Sequence, residues 1–171
     1  MVRAANVMGR PVVVRAANVM RQYDEAAVPA ARQSMAARLD PRGLLVEGTC
    51  DTLGRLAAWV AIPAPAEGSD ATPETLTLSM SLAHARRPGE VAEPLPKVLI
   101  HRNTPGQPVH ELLRAMDSAW ERSAAHGVFG PRQRWLASVA LLRAHGWPIQ
   151  GSPARWRLGE LTVAWSVVAP R

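Results

Sequence analysis

Cysteine is almost absent from this 171-residue chain, which carries Cys50 alone. An internal disulfide is thereby excluded, and a single thiol suits a reducing cytoplasm. Lysine is as scarce: Lys97 is the only one, so the formal charge of +6 rests almost wholly on arginine. Phe and Tyr occur once each, against six Trp. No apolar h-region of a secretory signal opens the sequence, and no apolar run nears the roughly 18 residues of a membrane span. These lacks point to a cytoplasmic chain without a membrane partner. There is also no G-x-G triplet. That removes the glycine-rich turn through which many α/β proteins let a backbone approach a cofactor.

What is present suffices for a core, since 47% of the residues are apolar. The length fits one domain, or one domain with an insertion. The pI of about 11.1 would suit nucleic acid or acidic partners. A composition dominated by Arg, Ala, Pro and Val, as GC-rich coding gives, explains the same charge without any partner. The basic residues form no run; the longest clusters are Arg86-Arg87 and Arg132-x-Arg134. Nucleic acid is therefore the lesser reading. Val2-Arg-Ala-Ala-Asn-Val-Met8 recurs letter for letter as Val14-Arg-Ala-Ala-Asn-Val-Met20. Two copies are too few for a solenoid. Residues 1–10 are expected to be a surface tail, and 11–171 a single domain.

The stretch Pro11–Gly48 reads as strand, loop, helix, turn, strand. Its length is that of a βαβ crossover joining two parallel strands. Proline is tolerated in a first helical turn, so the helix is expected from Val28 or Pro29 to Leu39, with Ala31, Met35 and Leu39 as its apolar stripe. Asp40-Pro-Arg-Gly43 makes the turn. Leu44 to Glu47 is then a second buried strand.

Beyond Arg55 the pattern changes. Leu56–Ile62 and Thr75–Leu82 read as a long antiparallel hairpin around a Pro-rich loop, the second arm alternating Leu76, Leu78, Met80 and Leu82 with Thr and Ser. Val98-Leu-Ile100 is a short apolar run. Pro108 opens a helix whose apolar face is Val109, Leu112, Leu113, Met116, Ala119 and Trp120. Pro131 opens another, with Trp135, Leu136, Val139 and Leu142 on one side and Gly146 closing it. Trp147–Ile149, Trp156–Leu158 and Leu161–Val168 are strand candidates.

This order resembles the C-terminal half of class I S-adenosylmethionine-dependent methyltransferases. "VVVRAANVM" looks like the fourth strand and its loop, "ARLDPRGLLVEGT" like helix and fifth strand. "LLRAHGWPI…LTVAWSVVA" looks like the closing helix, sixth strand and antiparallel seventh strand. A bacterial methyltransferase-like branch is more similar still, in "RAANVMRQY", "LLVEGTCD", "LPKVLIHRNTPG" and "GPRQRW". The resemblance implies a partial Rossmann-like sheet with an inserted hairpin and loop over 55–106. It implies S-adenosylmethionine as cofactor and a nucleophile of unknown identity as methyl acceptor. The family's glycine-rich turn and its ribose-holding acid lie on earlier strands, which this sequence does not contain. The chain is therefore expected to be a shortened form, inactive unless that half is supplied. The strand at Val12–Val14 would lack a neighbour on one side. A homodimer through that edge, or a non-catalytic interaction module, is the alternative.

The site candidates follow from strand ends, where open α/β sheets bind ligands. Asn18 takes the place of the family's polar loop residue. Arg15 and Tyr23 share its loop, as cofactor-facing candidates. The structural alternative for Asn18 is a turn asparagine. Glu47 and Asp51 sit at the end of the next strand and could orient a substrate or act as a base; the alternative is pairing with an arginine or capping a backbone. Lys97, His101, Arg102 and Asn103 form the densest polar group and are read as substrate-binding, in a lid formed with the hairpin. Arg132 and Arg134 lie at a helix N-terminus, where cations oppose the dipole, so an external anion or carboxylate is expected there. His101 and His110 lack ligand spacing, so no metal is expected.

Overall fold

The computed structural model describes residues 9–171. The first repeat copy, Val2–Met8, lies outside them, and with it most of the expected surface tail. Among the described residues six strands form one open sheet in the order β1-β2-β3-β4-β6-β5. They are β1 (Val13–Ala17), β2 (Leu44–Cys50), β3 (Leu56–Pro63), β4 (Thr75–Met80), β5 (Ile149–Gln150) and β6 (Glu160–Ala164). Only β1 and β2 are parallel, with Val13 opposite Leu44 and Ala17 opposite Gly48. Every other neighbour pair is antiparallel. The architecture is thus α/β with a mixed sheet.

The βαβ unit forms as its sequence requires. Helix α1 (Val28–Ala36) carries Pro29 in its first turn, where the missing N–H costs nothing. It ends three residues before Leu39, because the Asp40-Pro41 turn must begin. Asp40 Oδ1 accepts from Arg42 N at 3.0 Å to fix that turn. The buried face is Val28, Arg32 and Ala36, one residue round from the stripe expected at Ala31 and Met35.

The expected hairpin forms and lies inside the sheet. β3 pairs with β2 on one side and with β4 on the other. It is a structural centre and not a lid. Alternation in β4 buries Leu76, Leu78 and Met80 on one face. On the other, Thr77 Oγ1 meets Thr162 Oγ1 of β6 at 2.9 Å, a cross-strand hydroxyl pair that fixes register.

The helices gather on one face. α2 (Lys97–Ile100), α3 (Pro108–Arg122) and α4 (Pro131–Ala144) follow β4, and α5 (Pro153–Trp156) precedes β6. Leu99, Val109, Leu112, Met116, Trp135 and Val139 share one core with Ala36 of α1 and with Leu45, Val60, Leu78 and Val163 of the sheet. The buried set of α3 is the predicted one. Gly146 closes α4 at φ +85°, a conformation that suits glycine. No helix of the described residues is long and apolar enough to cross a membrane.

Two local expectations fail. Trp156–Leu158 is no strand: Ser152-Pro153 starts the single turn of α5, and Trp156 ends it. The last strand stops at Ala164, and Trp165–Val167 winds into a 3-10 turn.

Among the described residues no helix covers the opposite face of the sheet. Val46, Gly48, Trp59 and Ala61 point that way, half-buried by one another and outside the core. β1 is an edge strand, and Val12 and Val13 are 61% and 60% exposed. Among the described residues nothing pairs with its outer side.

Candidate functional site

β1 and β2 end side by side, and their loops make the strand-end rim that the sequence pointed to. Asn18 leaves β1 in the left-handed region at φ +59°, which asparagine tolerates better than most residues. Its N–H donates to Gly48 O at 2.7 Å. Its side-chain Oδ1 accepts from Cys50 N at 3.0 Å, and its Nδ2 points at Cys50 Sγ at 3.5 Å. Asn18 therefore prolongs the β1–β2 ladder by one step. Asn18→Ala should cost about 1–2 kcal/mol in urea unfolding, from a lost hydrogen bond and a strained αL residue. Asn18→Gly should cost less, because it keeps the backbone conformation.

Glu47 is fully buried, and its Oε2 accepts from Arg32 Nε at 2.9 Å and Nη2 at 2.5 Å. Arg32, 4% exposed, lies under α1 and is a partner that sequence reasoning missed. The signal was its i+4 spacing from Val28 and to Ala36. Glu47 Oε1 has no hydrogen-bond partner in the protein. Asp51 closes the β2–β3 turn, its Oδ1 accepting from Arg55 N at 2.7 Å and Leu56 N at 3.1 Å. Glu47 is thus shut away from solvent beside Arg32, and Asp51 has Oδ1 engaged in its own turn.

Arg15 projects from β1 onto the open face. It lines a dent of ≈ 230 Å³ with Ala17, Gly48, Cys50 and Trp59. Gly48 makes the floor: a Cβ there would lie 2.7 Å from Trp59 Cβ. Tyr23 is 42% exposed beyond the turn Met20–Gln22. The same turn is tied down by Arg21, whose guanidinium donates to Glu93 O.

The Lys97 group lies elsewhere. Val98 lines a cleft with Arg32, Trp165 and Pro170, and neither Lys97 nor its polar neighbours line the dent that holds Arg15. His101 is exposed; Arg102 is half-buried, and Asn103 Oδ1 pairs with His110 Nδ1 at 2.9 Å. Arg134 stacks over the Trp120 ring at 4.1 Å and its Nε donates to Trp120 O. It is a clamp between α3 and α4. Arg132 stays exposed. No group of three His, Cys, Asp or Glu that could hold a metal occurs among the described residues.

No family model, curated protein or solved structure matches this chain.

Three residues expected to serve S-adenosylmethionine-dependent transfer are engaged within the chain itself. Asn18, Glu47 and Asp51 bond to the chain's own Cys50, Arg32 and turn backbone. The dent beside Arg15 is lined chiefly by apolar surface and has no glycine-rich turn at its rim.

Proposed function

We propose that this chain is a methyltransferase-like module that does not bind S-adenosylmethionine by itself. In this reading it supplies the sheet and the strand-end rim. A polypeptide pairing with β1 supplies the cofactor-holding turn. Methyl transfer to an unidentified nucleophile belongs to the completed assembly.

The observation that carries the reading is the position of β1. It is a parallel strand at the sheet edge, its outer side without a partner among the described residues. Open α/β sheets bind ligands in the crevice between the carboxyl ends of neighbouring strands. One wall of such a crevice stands here, in Asn18 and its loop. The order β5 then β6, paired antiparallel, also agrees with the sixth and seventh strands of the resembling family. The open sheet face gives a covering partner an apolar surface to bury.

A homodimer through the same edge is the second form of this reading. It is favoured by the exposure of Val12 and Val13, which most edge strands replace with charge or proline. Calorimetric titration with S-adenosylmethionine tests the proposal: the chain alone should give no saturable binding at micromolar concentrations.

A further inference from the structure

The strand-end rim extends past the Asn18 loop. β4 runs in the same direction as β1 and β2, because β3 is antiparallel to both β2 and β4. Its carboxyl end therefore lies on the same rim. Ser81 N donates to Arg55 O at 2.7 Å, which ties the β2–β3 turn to the end of β4. β6 starts from this rim, with Glu160 opposite Ser79, so Arg157 and Leu158 belong to it too. Beyond Ser81 an open cleft of ≈ 560 Å³ is lined by Phe129, Arg132, Gln133, Arg157 and Leu158.

Three arginines on this rim, Arg55, Arg132 and Arg157, are exposed. The ion pairs of the described residues use Arg32, Arg42, Arg86, Arg87 and Arg155 instead. The carboxylates beside them are already engaged: Asp51 by backbone N–H groups, Glu160 by Arg155. Between the arginines stand exposed apolar side chains, Leu53 at 68%, Phe129 at 75% and Leu158 at 60%. Neither set stabilises the fold. Unpaired cations beside an exposed ring are what a flexible phosphate chain with unstacked bases requires.

We infer that this rim binds single-stranded nucleic acid. The three guanidiniums take backbone phosphates, and the Phe129 ring offers a stacking face to a base. A duplex presents no free base to that ring, which selects the single strand. The net charge of +6 adds long-range attraction. The inference stands independently of the methyltransferase reading.

Fluorescence anisotropy with a labelled oligouridylate of roughly 20 nucleotides, at about 50 mM salt and above, tests it. The triple variant Arg55→Ala, Arg132→Ala, Arg157→Ala should bind roughly tenfold or more weakly. Its slope of log K against log salt should fall by about 2, roughly 0.7 for each lost phosphate contact. Phe129→Ala should weaken binding and leave the slope unchanged. The control Arg38→Ala, Arg42→Ala, Arg114→Ala removes the same charge from exposed positions off the rim and should bind nearly as wild type. All these side chains are exposed, and circular dichroism checks that each variant folds. No binding at low salt, an equal loss in the control, or duplex bound as tightly as single strand would each overturn the inference. Adhesion to phosphatidylserine vesicles without oligonucleotide binding would overturn it in favour of a membrane surface.

Discussion

Arg32→Met should destabilise the protein by about 3–5 kcal/mol in urea unfolding, the cost of leaving one member of a buried ion pair alone. Arg32 and Glu47 are 4% and 0% exposed, and both guanidinium bonds go to one carboxylate oxygen. Methionine fills much of the arginine stem's volume, so the loss is chiefly electrostatic. It leaves a buried carboxylate beneath α1 without its cation. The double variant Arg32→Met, Glu47→Leu should recover most of that loss, because replacing both ions with apolar groups removes the desolvation cost. A single-variant loss below about 1 kcal/mol would show that the pair is not buried as described.

Gly48→Ala should cost about 2–3 kcal/mol, by the same measurement. The sign is informative. Glycine inside a strand is usually worse than alanine by roughly 0.5–1 kcal/mol, so without crowding the change would stabilise. Here the added Cβ would lie 2.7 Å from Trp59 Cβ and 2.9 Å from Ala58 O. Neither atom is the end of a flexible side chain. β2 and β3 would have to separate where Gly48 stands opposite Trp59. A gain in stability on Gly48→Ala would contradict the register of β2 against β3. It would also remove the dent beside Arg15.

The βαβ unit was legible because each of its signals is local. Pro29 marks a helix start, Asp40-Pro-Arg-Gly43 a turn, and two apolar runs flank them. The same holds for α3, whose heptad-like spacing maps directly onto its buried residues. The hairpin's arms were legible from alternation, but not their place in the sheet. That depends on β6, some 85 positions along the chain from β4 at the Thr77–Thr162 pair. One short apolar run misled. Trp156–Leu158 has three residues, too few for a period of 2 to be told from one of 3.6.

The site was half legible. Asn18 and Asp51 were found at strand ends, where they are; Glu47 lies mid-strand, because β2 runs on past it to Cys50. The partners of these three were not found, because a hydrogen bond to Cys50 or a buried pair with Arg32 is set by tertiary packing. The alternatives weighed for them, a turn asparagine and a paired or capping carboxylate, are the roles these side chains perform. Arg134 was read as awaiting an anion and instead stacks on Trp120. Its neighbour Arg132 faces solvent, two residues earlier on the same helix, and sequence spacing alone does not separate the two.

The central claim is that the chain holds its own strand-end groups and leaves β1 to be completed by a partner. Isothermal titration with S-adenosylmethionine, carried to ~1 mM on the chain alone, tests it most directly. The account predicts heats of dilution only, unchanged by Asn18→Ala. A saturable one-to-one isotherm in the micromolar range, weakened by Asn18→Ala, would contradict it and make this chain a cofactor-binding methyltransferase in its own right.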